Sequence, residues 1–120
     1  MKSDNIIQKK SFDFAVRIVK FSKILLDRKE TIIANQILRS GTSVGANIEE
    51  AIGASSNKDF INKMTISYKE IRETIYWLKL LFHSEVISKI EFDSMHNDAE
   101  EIIKIITKIL TTSKEEASSK

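Results

Sequence analysis

The chain contains no cysteine and no proline, and its 120 residues include only three glycines, Gly41, Gly45 and Gly53. Without cysteine there is no disulfide framework, no thiolate nucleophile and no Cys-based zinc site. Without proline, little in the chain breaks a helix, and its wealth of Ile, Leu, Lys and Glu favours long helices joined by short turns. No apolar run approaches the roughly twenty residues that span a bilayer. The opening stretch, Met1 to Lys10, is polar and lacks the apolar core of a signal peptide, so a cytoplasmic location is expected.

What is present fits one ordinary globular domain: 42% apolar and 30% charged residues, in a length that supports a single core. The net charge is only +2. Its distribution is uneven, however. Up to Lys29 there are eight Lys/Arg against Asp4, Asp13 and Asp27, whereas from Glu85 onward there are eight acids against five lysines. Such a dipolar chain is suited to steering partners or to self-association.

Apolar periodicity predicts an all-α protein with helices over 11–26, 32–54, 57–83 and 89–111. In the first, Phe14, Ile18, Phe21 and Leu25 repeat at helical spacing, and Phe12, Ala15, Val19 and Leu26 widen the apolar face to about half the cylinder. In the second, Ile33, Ile37, Val44, Ile48 and Ala51 form the apolar row, and Gly41 and Gly45 form a small-xxx-small pair that permits close backbone approach. The third has a core stripe from Phe60 to Phe82 and a second stripe of Ile66, Glu73, Trp77 and Leu80, as if it met two partners. Ser55, Ser56 and Asn57 supply capping chemistry before the third helix, and Ser88-Lys89-Ile90-Glu91 is a capping box before the fourth. The short connections imply an antiparallel up-down-up-down four-helix bundle over 11–112. Residues 1–10 are then an N-terminal extension and 113–120 a polar, fraying tail.

Bundles of this kind often house metals on inward carboxylates and Glu-x-x-His pairs. Here the nearest match is Asp93-Ser94-Met95-His96, directed away from the apolar stripe, so no metal or other cofactor is expected. The glycine pair lacks the lysine of a phosphate-binding loop. No nucleophile accompanies the carboxylates, so no catalytic residue is assigned and the chain is not read as an enzyme. A polar row, Gln36, Arg39, Ser43, Asn47 and Glu50, keeps core-like spacing and with Glu73 is read as a buried structural seam. Trp77 reads as an oligomer or core anchor. On the first helix Lys10, Arg17 and Lys20 share a basic face flanked by Lys9 and Lys23, a candidate contact for RNA or DNA phosphates or for an anionic membrane surface.

The stretch from Gln36 to Ala51, QILRSGTSVGANIEEA, resembles the central motif of a bacterial four-helix bundle family encoded by intervening sequences in large-subunit ribosomal RNA genes. The accessory variability determinant of diversity-generating retroelements is similar. Ser11 to Ile18 and Lys58-Asp59-Phe60 through Tyr76-Trp77-Leu78 extend the likeness over nearly the whole chain. The resemblance implies ring-shaped homopentamers and, in the retroelement branch, binding of nucleic acid and a reverse transcriptase. It also implies that Arg39, Ser43, Asn47, Glu50 and Glu73 are a polar signature of structural role. The expected function is therefore a non-enzymatic homo-oligomeric scaffold or adaptor, with RNA, DNA or another protein as candidate partners. The alternatives are a small-molecule or metal-binding bundle using Glu50 and Glu73, and docking on a membrane surface through the first helix.

Overall fold

Two serines fix where helices begin. The Ser56 hydroxyl accepts the Asp59 amide (3.0 Å) at the start of α3 (Asn57–His83). At α4 (Lys89–Ser118), Ser88 Oγ accepts the Glu91 amide (3.1 Å) while Glu91 Oε1 accepts the Ser88 amide (2.8 Å). That is the reciprocal capping box the sequence predicts. With α1 (Lys2–Asp27) and α2 (Thr31–Ile52) they form an up-down-up-down bundle 51 × 21 × 21 Å in extent. The computed structural model describes residues 2–118; Met1, Ser119 and Lys120 lie outside the described residues. No helix among the described residues is long and apolar enough to cross a membrane.

Helix α2 ends at Ile52 rather than 54, and two other ends lie well beyond the sequence reading. The segment 1–10, expected as an extension, is helical from Lys2, with Ile7 fully buried and Gln8 Nε2 donating to Glu49 Oε1 at 2.7 Å. The expected tail is helical to Ser118, with Ser113 buried. Both additions lie at the same end of the bundle, where each lengthens the surface available to its neighbours.

At the other end, α1 and α3 stop in the same way. Lys29 and Glu85 adopt left-handed backbone, φ 65° in each. The amides of Lys29 and Glu30 bond the carbonyls of Leu26 and Leu25, and those of Glu85 and Val86 bond Phe82 and Leu81. These are Schellman closures formed without glycine.

The core is a single column of Phe14, Ile18, Leu25, Ile37, Val44, Ile48, Met64, Ile71, Leu78, Ile102 and Ile106. Helix α2 lies close to both neighbours because its facing side chains are small. Toward α1, a Cβ on Gly41 would lie 2.7–2.9 Å from three carbons of Ile18, and one on Gly45 would lie 3.3 Å from the Ser11 carbonyl oxygen. Toward α3, buried Ser67 donates to the Val44 carbonyl (2.8 Å), and Thr74 donates to Ser40 Oγ (2.9 Å). The small-xxx-small pair is therefore a packing device within one chain.

Gly41→Ala is expected to lower the melting temperature. The β-branched Ile18 strongly prefers one χ1 rotamer in a helix, and overpacking costs about 1–3 kcal/mol, more than the ~1 kcal/mol helix propensity returns. Gly53→Ala, where a Cβ has nothing nearer than 3.8 Å, should leave the thermal melt unchanged or slightly raised.

Candidate functional site

Helices α1 and α4 make the sparsest of the bundle's neighbour contacts. Ion pairs close that seam. Lys10 pairs with Glu101, Arg17 with Asp98, and Arg28 with Glu91. Arg17 also donates to the Ser94 carbonyl (3.2 Å) and hydroxyl (2.7 Å). Hydrogen bonding to Glu101, reinforced by its charge, holds the Lys10 ammonium above the ordinary lysine range. Lys9 is taken up by Asp13 one turn along (2.9 Å). Of the five cations expected to meet a polyanion, only Lys20 and Lys23 are left exposed without a carboxylate among the described residues.

The polar row of α2 keeps one arc, but that arc is the outer rim beside α3. Arg39 is half-exposed and gathers Glu73, Glu70 (3.1 Å) and Gln36 Oε1 (3.4 Å). Glu73 also accepts from Trp77 Nε1 (2.9 Å), which fixes the indole with its edge against Tyr76. Ser43 and Asn47 bond only carbonyls of their own helix, those of Arg39 and Ser43. Glu50 stands apart, its side chain 59% exposed and paired with Lys63 at 3.1 Å. The expectation of a buried seam is thus corrected: Arg39 and Glu73 meet on a half-open rim, and Glu50 does not join them. Spacing identifies a shared arc, but two adjacent arcs of α2 both keep the same spacing, and only the more apolar one turns inward.

Acid/base or metal chemistry has little to work with here. Glu50 and Glu73 do not converge, and no group of three or more His, Cys, Asp or Glu among the described residues is placed to hold a metal ion. Asp93 pairs with Lys89, while the His96 ring stacks on Phe92 (4.8 Å) with Nε2 3.3 Å from Glu100. That proximity lacks hydrogen-bond geometry and leaves Nε2 buried without a partner. His96 is therefore half-buried rather than solvent-facing as its register had implied.

Two features remain as sites. One is an exposed stripe on α1: Phe12 (66% exposed), Val16, Val19 and Leu26, spaced four, three and seven on the side away from the core, with exposed Lys23 in the gap between the last two. The other escaped the sequence reading. A groove of about 600 Å³ between α3 and α4 is lined by Thr65, Tyr68, Lys69, Arg72, Thr107, Leu110, Thr111 and Lys114. Its signal was present in the chain as Tyr68 to Arg72 at one turn and Thr107, Thr111 and Lys114 at helical spacing, but nothing local joins the two sets.

Residues 3–108 match the family model described as 23S rRNA-intervening sequence protein. The chain belongs to that family. A crystal structure of a protein with unknown function from the S23 ribosomal protein family of Bacteroides thetaiotaomicron VPI-5482 is 49% identical. It superimposes with a TM-score of 0.89, and the match covers 91% of this chain and 98% of that one. No curated protein matches. Within the family frame, the Gln36–Ala51 motif supplies the glycine contact with α1, the Ser40 contact with α3 and the Arg39 rim.

Two substitutions separate the members of the polar row. Glu50→Ala should leave stability within about 0.5 kcal/mol, as for an exposed ion pair. Glu73→Ala, which strips Arg39 and Trp77 of a shared acceptor, should cost about 1 kcal/mol and alter the indole fluorescence. Thermal melts with emission spectra read both.

The Arg28 hydrogen bond, then the Ser88 amide, hold the Glu91 carboxyl down from 4.5 to about 2. A depressed carboxylate contributes stability that is full above its unfolded value and is lost as pH falls through its folded value. Glu91→Gln should therefore lower the melting temperature at neutral pH, by about 1 kcal/mol equivalent after solvent screening. The difference from wild type should shrink between pH 4.5 and about 2.

Proposed function

We propose that this chain is a non-enzymatic scaffold that acts as a closed homo-oligomer, its copies meeting through the outward stripe of α1. The observation that carries this reading is Phe12, Val16, Val19 and Leu26 standing exposed on one arc. Monomers rarely leave so broad an apolar patch in water. A second patch lies on α3, where Ile66 and Tyr76 (58% exposed) face outward beside half-buried Trp77 and Leu80. Helices α1 and α3 are diagonal in the bundle, each lying beside α2 and α4. Two different patches on opposite sides suit a head-to-tail contact, which closes into a ring, better than the self-complementary contact of a twofold dimer. The family resemblance sets the expected number at five. Cytoplasmic residence and an adaptor role toward RNA, DNA or another protein belong to the same reading.

The α1 basic face supports the nucleic-acid part less than its sequence promised, because Asp13, Glu101 and Asp98 already meet Lys9, Lys10 and Arg17. Lys20 and Lys23 remain available there.

Light scattering at micromolar concentration should return about five times the 13.7 kDa chain mass. Phe12→Asp combined with Val16→Asp should return the monomer with helical content kept. A wild-type mass of 13.7 kDa would sink the oligomer reading.

A further inference from the structure

We propose that the α3/α4 groove binds nucleotides, with their phosphates held by Lys69, Arg72 and Lys114. The α1/α4 seam and the α2/α3 rim each match cations with carboxylates. The groove does not. Three cations line it and no acid does. None of the three has a carboxylate partner among the described residues, so their charges are available to a ligand.

The remaining lining completes a nucleotide site. Tyr68 Oη accepts from Arg72 Nη1 at 3.2 Å, which leaves the phenol proton free to donate outward. The Arg72 guanidinium lies over the Tyr68 ring, 5.7 Å from its centroid, so its open face presents a flat cationic surface for a base. Thr65 and Thr107 already donate to the Ile61 and Ile103 carbonyls, at 2.7 Å each, and contribute shape rather than donors. Thr111, beside Lys114, keeps its hydroxyl for the ligand. Leu110 supplies an apolar floor. At about 600 Å³ the groove falls within the range of small-molecule sites, roughly 300–1,000 Å³.

The nucleotide can be free or part of a single strand. Helical spacing places Lys104 and Lys108 on the α4 arc beside Thr107 and Thr111, and Lys79 two turns beyond Arg72 on α3. This continuation of positive charge past the groove favours a strand over a single nucleotide. The inference stands on the groove alone and does not require the ring.

The test is fluorescence anisotropy at low and moderate salt. One probe is a fluorescein-labelled single-stranded oligonucleotide of about twelve residues, within the site size such grooves cover. Unlabelled adenosine 5′-monophosphate serves as competitor, and a fluorescent adenosine monophosphate analogue serves as a second direct probe. Wild type should bind the strand at low salt and lose affinity steeply as salt rises. Arg72→Glu/Lys114→Glu should weaken binding at least about tenfold with unchanged circular dichroism, as expected when two phosphate contacts are lost. Arg72→Gln/Lys114→Gln should show a smaller loss in the same direction. Lys20→Glu/Lys23→Glu should bind like wild type. Displacement by the monophosphate, or binding of its analogue alone, would assign the site to free nucleotides. Binding of the strand without either would assign it to nucleic acid. No binding of either probe at low salt would overturn the proposal. So would equal binding by the groove variants, or a loss confined to the Lys20/Lys23 variant, which would return the contact to α1.

Discussion

The close approach of α1 to α2 at Gly41 and Gly45 sets the terms for the rest of the molecule. With no side chain on either glycine, Ile18 fills the space over Gly41 and the Ser11 backbone rests on Gly45. This fixes the rotation of α1 about its own axis. Ile7, Ser11, Phe14, Ile18, Phe21 and Leu25, spaced alternately four and three, turn inward. Phe12, Val16, Val19 and Leu26 are then carried outward by the same rotation. The exposed stripe is thus a direct consequence of how tightly the inner one is seated. Helix α2, held by glycines on one flank and by Ser40 on the other, acts as the bundle's spacer.

Charge is arranged to serve this packing. A helix drawn close to α2 has less apolar surface to share with α4, and the α1/α4 seam is closed by Lys10, Arg17 and Arg28 against Glu101, Asp98 and Glu91. The basic beginning and acidic end of the chain look like a dipole for partners when the sequence is read linearly. In the antiparallel fold they face one another and largely cancel. Exposed pairs of this sort contribute little energy each, so their effect is chiefly on register. Uncompensated positive charge survives on Lys20 and Lys23 of α1 and, between α3 and α4, around Lys69, Arg72 and Lys114.

Legibility followed the range of the interaction involved. The limits of α3 at Asn57 and His83 match the expected 57–83, because Ser56 and Ser84 act on groups within a turn of themselves. The capping box at Ser88 and Glu91 is equally local. Ile7 continues the heptad of α1 backwards, but two adjacent isoleucines among polar residues do not outweigh their surroundings. Arg39 and Glu73 meet on a half-open rim rather than in a buried seam, since periodicity gives an arc and the partner helix decides which arc is inside. Glu50 shares the arc and still pairs elsewhere, with Lys63. The α3/α4 groove was the least legible feature. Its two halves are about forty residues apart and meet only through the return of the chain.

The outward patch of α3 and the groove adjoin, and this bears on how they would work together. Tyr76 lies one turn beyond Arg72 and two beyond Lys69, and Ile66 lies three residues before Lys69. A contact that covers Ile66 and Tyr76 would border the groove. On α1 the stripe adjoins α2 and lies across the bundle from the groove. Copies joined through α1 and α3 would present one groove each, all in equivalent orientation by symmetry. Sites that are individually weak, as three solvated cations must be, gain by such repetition when the ligand is a strand long enough to reach the next copy. A free nucleotide gains nothing from it. The value of assembly to this fold thus depends on the length of what it binds, which ties the apolar stripe of α1 to the chemistry of a groove on the opposite side of the bundle.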